Sequence, residues 1–237
     1  MNIKFNAFET KHLGLKSGKV FYSASEIETL EPSMVYRLAE EAKNKEYNLV
    51  SLRIQAPDDS IARVFESAGF RKVEDMLSYS RKISQSAKGS NAVRVARKDD
   101  IEYISQIGES SFSFDRFHSD PLIDNDKADK LKRAWSRNCL THRASKVFVF
   151  QDEKVGGFLA CVKTKYALVI DLIAVAEEKR GLGVGRDLIG ACEEYYQEQC
   201  NVYSVSTQSS NKASINLYNS CGFQLVSKKA TFHLVIK

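Results

Sequence analysis

The chain has 237 residues, 43% hydrophobic and 27% charged, enough apolar material for one large core or two small ones. Its formal net charge of +5 arises from 35 basic against 30 acidic residues spread along the chain, which argues against nucleic-acid binding and leaves a mild field favouring anionic ligands. No run of roughly 18 apolar residues occurs, and Met1-Asn2-Ile3-Lys4-Phe5 precedes no apolar signal stretch, so a cytoplasmic protein without membrane contact is expected. The cysteines at 139, 161, 192, 200 and 221 form no Cys-x-x-Cys pair and have no histidine at metal-ligand spacing, so reduced core thiols without metal are expected.

The first clear element is a helix from Pro32 to Lys45, with proline at an initial position and Met34, Leu38 and Ala42 on one face. Val50 to Gln55 reads as a strand leading through a polar turn into a short helix that ends at Gly69-Phe70, followed by a closing hairpin. Residues 85–91, polar and small, read as a linker between a domain over 1–84 and a second over 92–237. Val93 to Ala96 then starts a strand, and Asp99 or Asp100 opens a helix with Ile101, Ile104 and Ile107 inward. A later helix carries Ala128, Leu131 and Trp135. Strands follow at Val147 to Phe150, Val155 to Lys163 and Tyr166 to Val175, where Gly156 and Gly157 mark either a bulge or close packing.

After the third of these strands comes Arg180-Gly181-Leu182-Gly183-Val184-Gly185-Arg186, opening a helix with Leu188, Ile189, Cys192, Tyr195 and Tyr196 at helical spacing. Glycines at such a join let the backbone approach an anion, and the helix N-terminus adds unpaired donors and partial positive charge. The spacing matches neither the NTPase phosphate loop, since no Gly-Lys-Ser/Thr follows, nor a dinucleotide fingerprint in its usual place. Farther on, Asn211-Lys-Ala-Ser214-Ile-Asn-Leu217-Tyr218-Asn-Ser-Cys-Gly222-Phe223 reads as a capped helix with Ser214, Leu217 and Tyr218 on one face, closed by glycine, before terminal strands over Phe223 to Ile236.

The chain also echoes itself at a constant offset. Gln55 aligns with Gln208, Phe65 with Tyr218, Ser67 with Ser220, Gly69 with Gly222 and Phe70 with Phe223. The first copy lacks the glycine loop: Ser25 to Pro32 is acidic and glycine-free, so its carboxylates would repel a pyrophosphate.

The Arg-x-x-Gly-x-Gly loop after Asp-Leu-Ile-Ala-Val, together with the Asn-x-x-Ser-x-x-Leu-Tyr-x-x-x-Gly-Phe segment, resembles the GNAT N-acetyltransferase superfamily. The resemblance implies a mixed-sheet α/β acyltransferase fold, preceded here by a partial, degenerate GNAT-like half. It also implies acetyl-CoA as co-substrate, with no metal. Coenzyme contacts would come from the backbone of Ile173, Ala174 and Val175, the loop residues Arg180, Gly181, Leu182, Gly183, Val184, Gly185 and Arg186, and from Asn211, Ser214 and Tyr218. Tyr218 would be the general acid toward the leaving thiolate, or else a packed tyrosine. The base stays open among Asp171, Glu177, His118 and a water chain, with Asp171 named as the catalytic carboxylate.

The segment Ser111-Phe-Ser-Phe114-Asp-Arg116-Phe117-His118-Ser-Asp-Pro121 and the helix ending at Trp135 resemble the bacterial TDP-fucosamine acetyltransferases and related sugar-nucleotide enzymes. That implies acetyl transfer to the 4-amino group of a nucleotide-linked 4-amino-4,6-dideoxyhexose. Phe114, Arg116, Phe117, His118 and Trp135 would then line the acceptor pocket, the alternative being an aromatic staple. A protein N-terminus, a polyamine or another small amine remains an alternative acceptor, and a non-catalytic acyl-CoA-binding module an alternative function. A homodimer is expected from the resemblance.

Overall fold

The computed structural model describes residues 1–237 except Ala56, Gln85, Ser86, Tyr166 and Lys237. Tyr166, expected in a strand, and Gln85 and Ser86, expected in the linker, therefore lie outside the described residues. In chain order the elements begin with β1 (Asn2–Phe5), α1 (Ala7–Leu13), β2 (Ser17–Phe21), α2 (Ala24–Glu28), α3 (Pro32–Asn44), β3 (Leu49–Gln55), α4 (Asp59–Ser67) and β4 (Arg71–Lys82). β5 (Val93–Val95), α5 (Ile101–Ser111), α6 (Asn125–Asn138), β6 (Lys146–Gln151), β7 (Val155–Lys163) and β8 (Ala167–Val175) follow. The chain ends with α7 (Val184–Tyr196), β9 (Val202–Gln208), α8 (Lys212–Ser220) and β10 (Gln224–Val235). These form two compact units, one of Met1–Met76, Phe114–Ala128 and Ser227–Lys237, the other of Leu77–Ser113 and Asp129–Val226.

In the first unit the strands run β1-β2-β3-β10, with β2 parallel to β3 and the other pairs antiparallel. Residues 1–21, to which the sequence pattern assigned no element, form β1, α1 and β2; strands this short show too little alternation to be read alone. Asn6 caps α1 by accepting from the Glu9 N–H at 3.1 Å, and Gly14 ends it at φ 65°. One face of the sheet packs Val20, Val50, Leu52, Ile54, Phe232 and Leu234 against Val35 and Leu38 of α3 and Phe65 of α4. The opposite face carries Ser51 and Arg53 in register with His233 and Thr231. There the buried charges are paired: Arg53 donates to Glu74 at 2.8 Å, and Asp120 receives both His233, at 2.8 Å, and Arg71.

The second unit orders its strands β4-β9-β8-β7-β6-β5, with β8 and β9 parallel and β5 to β8 antiparallel in succession. The β6–β7 register skips Gly156, a bulge, while Gly157 packs closely, since a Cβ on it would fall 3.1 Å from Val184, so both readings left open by the sequence occur. Gly108 lets α5 approach α6 closely, since a Cβ on it would fall 1.9 Å from Ser136 Oγ, and Arg133 ties the pair through Glu102 and Glu109. Residues 88 and 89 lie along α7: the Gly89 N–H donates to Glu194 at 3.0 Å, and the Lys88 carbonyl would be 3.0 Å from a Cβ on Gly190. Arg81 forms a bidentate pair with Glu193, whose Oε1 also accepts from the Ser84 N–H at 2.7 Å.

The internal echo is structural as well. Phe65 and Tyr218 are both buried, and the amides of Phe70 and Phe223 each return to the carbonyl of that aromatic at 3.0 Å. Gly69 and Gly222 make the intervening turn at φ 90° and 79°. The hairpins expected after these turns are absent; each stretch is one 12-residue strand, because neither contains Gly, Pro or Asn to turn the chain. The long strands are exchanged. β3 pairs with β10, while Ser78 and Ser80 of β4 contact Ser206 and Ser204 of β9.

A cut in the 85–91 segment should therefore separate each half from a strand it needs. Expressed alone, residues 92–237 should give no cooperative unfolding transition by circular dichroism, whereas co-expression with 1–91 should restore one.

Candidate acyl-transfer site

The second unit's strands part at a defined place. The parallel ladder between β8 and β9 runs from Ala167↔Val202 to Ile170↔Val205, and beyond it Asp171–Val175 and Ser206–Gln208 have no register with each other. On its other side β8 stays paired with β7, but Cys161 lies opposite Ile170 and Ala160 opposite Leu172, so Asp171 is the extra residue of a bulge. The bulge exchanges the faces of the strand. Before it, Leu168 and Ile170 join the core beneath α7; after it, Ile173 and Val175 do, while Leu172 and Ala174 turn to the core containing α5 and Cys139. One edge of Ile173–Val175 is thereby left without a strand partner, presenting main-chain groups at the cleft.

The glycine run continues directly from this edge. A 3-10 turn over Glu177–Lys179 is pinned by a Lys179–Asp152 ion pair, and Arg180 Nε donates to the Val175 carbonyl at 3.1 Å. Gly181 and Gly183 adopt φ 78° and 86°, with nothing within 4 Å of where a Cβ would stand. The first helical bonds of α7 run from Arg186 and Asp187 to the Gly183 carbonyl, at 2.9 and 3.1 Å, so the amides of Val184 and Gly185 precede the ladder. These features fit a pyrophosphate: open space, main-chain donors, and a helix start carrying positive charge. Gly185 serves a different purpose from the other two, since a Cβ there would lie 2.8 Å from Leu217 of α8. Leu182 is exposed, and Arg186 Nη2 reaches Ser220 at 3.3 Å.

Asn211 caps α8 by accepting from the Ser214 amide at 3.1 Å. One turn on, Tyr218 is buried beside Tyr79 and Phe223. Burial pushes its phenol above the ordinary value, against a hydrogen bond with Ser214 that pulls the other way. Such a phenol keeps its proton at neutral pH and can act as a donor but not as a base.

Asp171 is the centre of a cluster. Burial raises its pKa, but Arg143 more than offsets this, donating Nε to Oδ2 at 2.6 Å and Nη2 to Oδ1 at 2.8 Å, so the carboxyl stays below its usual range. Trp135 Nε1 and Cys139 Sγ also approach Oδ2, at 3.4 and 3.5 Å. The Arg143 guanidinium stands 5.2 Å from the Trp135 ring centroid and Lys132 Nζ 4.9 Å. Trp135 and Asp171 were expected at the site from sequence, Cys139 only as a core thiol, and Arg143 and Lys132 not at all. Lys132, Trp135 and Cys139 recur at helical spacing and were legible as one face; Arg143, at the end of a π-helical turn over Cys139–Arg143, carried no such signal.

The other acceptor residues lie in the first unit. Phe114 is exposed, whereas Phe117 is buried with its ring 6.0 Å from that of His233. Arg116 pairs with buried Glu9 and stacks on Phe117 at 4.5 Å, and His118 Nδ1 lies 2.9 Å from Asp115 Oδ1. Among the described residues no three His, Cys, Asp or Glu side chains converge as metal ligands, and no helix is long and apolar enough to cross a membrane. All five cysteines are free.

The family model for the acetyltransferase (GNAT) family matches residues 110–223, which hold the parted strands, the glycine loop and Tyr218. These residues form a GNAT acetyltransferase domain. Among curated proteins, the spore coat polysaccharide biosynthesis protein SpsD of Bacillus subtilis (strain 168) is 26% identical over 137 residues, 57% of this chain but only 47% of that protein, so the match spans about half the relative's length. Among solved structures, a GCN5-related N-acetyltransferase from Sphaerobacter thermophilus shares the fold, with a TM-score of 0.65 and 15% identity over 98% of this chain and 75% of that one. A tandem GNAT protein from the clavulanic acid biosynthesis pathway does so with a TM-score of 0.61 and 10% identity over 93% and 75% of the two chains. The mixed-sheet α/β GNAT fold expected from the sequence is thus the one observed, and tandem GNAT proteins are among its structural relatives.

The ion pairs affect stability in two measurable ways. Because the Asp171 pKa is depressed, its pair stabilises the fold above the unfolded-state value near 3.8 and is lost as pH falls through the lower folded value. In urea denaturation Asp171→Asn should therefore be less stable than the wild type from pH 8 to about 5, with the gap closing below about pH 4. Arg116→Ala, which strands the buried Glu9 carboxylate, should cost about 3–5 kcal/mol in the same measurement at pH 7.

Proposed function

We propose that this chain is an acyl-CoA-dependent N-acetyltransferase that moves an acetyl group directly from acetyl-CoA to a primary amine. We further propose that the acceptor is the 4-amino group of a nucleotide-linked 4-amino-4,6-dideoxyhexose. The observation that carries the first part is the opening of β8 from β9 at Ile170↔Val205, continuous with the glycine loop at the start of α7. Support for the second comes from the Phe114–His118 motif and from the name of SpsD, a protein of polysaccharide biosynthesis.

When bound, acetyl-CoA supplies the acyl group already activated as a thioester. The amides of Leu182 to Gly185 and the positive end of α7 hold its pyrophosphate. Arg180 and Arg186 add charge at the rim, and Asn211 and Ser214 flank the coenzyme from α8. The amides of Ile173, Ala174 or Val175, fixed in a strand and needing no rearrangement, stabilise the oxygen that gains negative charge. Tyr218 delivers its proton to the departing sulfur. Asp171 acts through its neighbours: a carboxylate held ionised by a bidentate guanidinium is a poor proton acceptor, and its part is to fix Arg143 and Trp135 at the strand opening. A sugar amine with electron-withdrawing neighbours reaches its neutral form without a strong base, so solvent suffices to take the proton. Trp135, beside Arg143, is assigned to the acceptor in the same reading.

Thiol release from acetyl-CoA, measured across amine classes, tests the reading: it should depend on added acceptor and be greatest with 4-amino-sugar nucleotides. Tyr218→Phe should lower kcat by about 100-fold while leaving coenzyme affinity unchanged by calorimetry. Gly183→Val, strained at φ 86°, should instead weaken coenzyme binding. Coenzyme binding without acceptor-dependent release for any amine would favour a binding module, and undiminished turnover in Tyr218→Phe would remove that residue from the chemistry.

A further inference from the structure

Arg143 is a cation with an unusual setting. The Arg143 side chain is 44% exposed and that of its counter-charge, Asp171, 14%, so the arginine is the more solvent-facing partner of the pair. Two of its nitrogens, Nε and Nη2, are engaged by the carboxylate, leaving Nη1 outside the pair, and the guanidinium lies over the Trp135 ring, 5.2 Å from its centroid. A guanidinium clamped in this way has already lost the side-chain freedom that a flexible arginine would give up on binding. It is also fixed at a particular point. Asp171 is the bulged residue where β8 leaves β9, and the amides assigned to the acyl oxygen begin at Ile173, about 6–7 Å farther along the strand.

We propose that Arg143 is a specificity-determining residue that receives an anionic group of the acceptor, a phosphate or a carboxylate carried within about one sugar ring of the reacting amine. This rests on the acetyltransferase reading above and goes beyond it by naming the residue and the charge it selects. A cation at this point opposes polycationic acceptors such as polyamines. The arginine singled out from sequence, Arg116, is by contrast paired with Glu9 in the first unit.

The test compares acceptors that differ only in charge, using thiol release from acetyl-CoA. Glucosamine 6-phosphate against glucosamine probes the phosphate, γ-aminobutyrate against butylamine the carboxylate, and spermidine the polycation. The wild type should prefer one or both anionic members of the pairs and should disfavour spermidine. In Arg143→Gln the KM for the preferred anionic amine should rise by roughly ten-fold or more, exceeding any change in kcat, with no comparable rise for its uncharged partner. Because that substitution leaves Asp171 without its guanidinium, the double variant Arg143→Gln/Asp171→Asn is measured alongside, and Arg143→Lys should recover part of the preference by restoring the charge. Equal KM changes for charged and uncharged partners, or wild-type preference for spermidine, would overturn the assignment while leaving the acetyltransferase reading intact. If no amine is turned over, binding of glucosamine 6-phosphate and of γ-aminobutyrate to the coenzyme-loaded protein is measured by calorimetry. Binding of either that is weakened in Arg143→Gln supports the proposal; absent binding, or binding unchanged in the variant, overturns it. Coenzyme affinity in the same titrations reports separately on the broader reading.

Discussion

The second unit is organised by the parting of two parallel strands. β8 and β9 hold together over four pairs of described residues and then diverge, and the divergence coincides with a bulge that inserts Asp171 into the β7–β8 ladder. A single extra residue does two things at once. It exchanges which side chains face each core, so Leu172 and Ala174 seal one layer while Ile173 and Val175 approach the other. It also turns a carboxylate into a socket where Arg143 and Trp135 are seated. Everything downstream, including the 3-10 turn, the two left-handed glycines and the start of α7, inherits its position from where that strand ends.

The two copies of the repeated segment show what such a site requires by showing a copy without it. The strand, helix and Gly-Phe turn are retained in both down to matching hydrogen bonds, because they are packing devices whose geometry does not depend on a ligand. The glycine loop is not retained. In the first unit Phe65 replaces the phenol, and the polar face of the sheet is filled with paired charges: Arg53 with Glu74, Arg116 with Glu9, and Asp120 with His233 and Arg71. Buried charges in such closed pairs have their partners already and are costly to part. The exchange of β4 and β10 then makes the halves interdependent, since each unit includes a strand segment encoded with the other half of the chain.

Much of the fold and of the glycine loop's backbone was legible in the sequence, for physical reasons that are local. Helices with strong apolar periodicity, such as α3 and α7, declare themselves because burial and helical spacing are both written in consecutive residues. Gly181 and Gly183 are legible because the left-handed conformation they adopt is one that side chains disfavour. Asn211 is legible as a cap because its short side chain can accept from an amide three residues on. The short β1 and β2 escaped because so few residues give no pattern, and the expected closing hairpins were wrong because a repeat's alignment says nothing about which strand its end will pair with.

Neighbouring residues alone were enough to establish the glycine loop and the capped helix bearing Tyr218, since each depends on residues within about a dozen positions of one another. What surrounds Asp171 and the exchange of long strands were settled by packing at long range. Arg143 lies 28 positions from its carboxylate, and no spacing rule connects them. Gly185 likewise owes its place to the approach of Leu217 from a helix more than 30 positions away and not to the turn it ends. Such pairings are set by how strands register and bulge, and register is a property of the packed sheet.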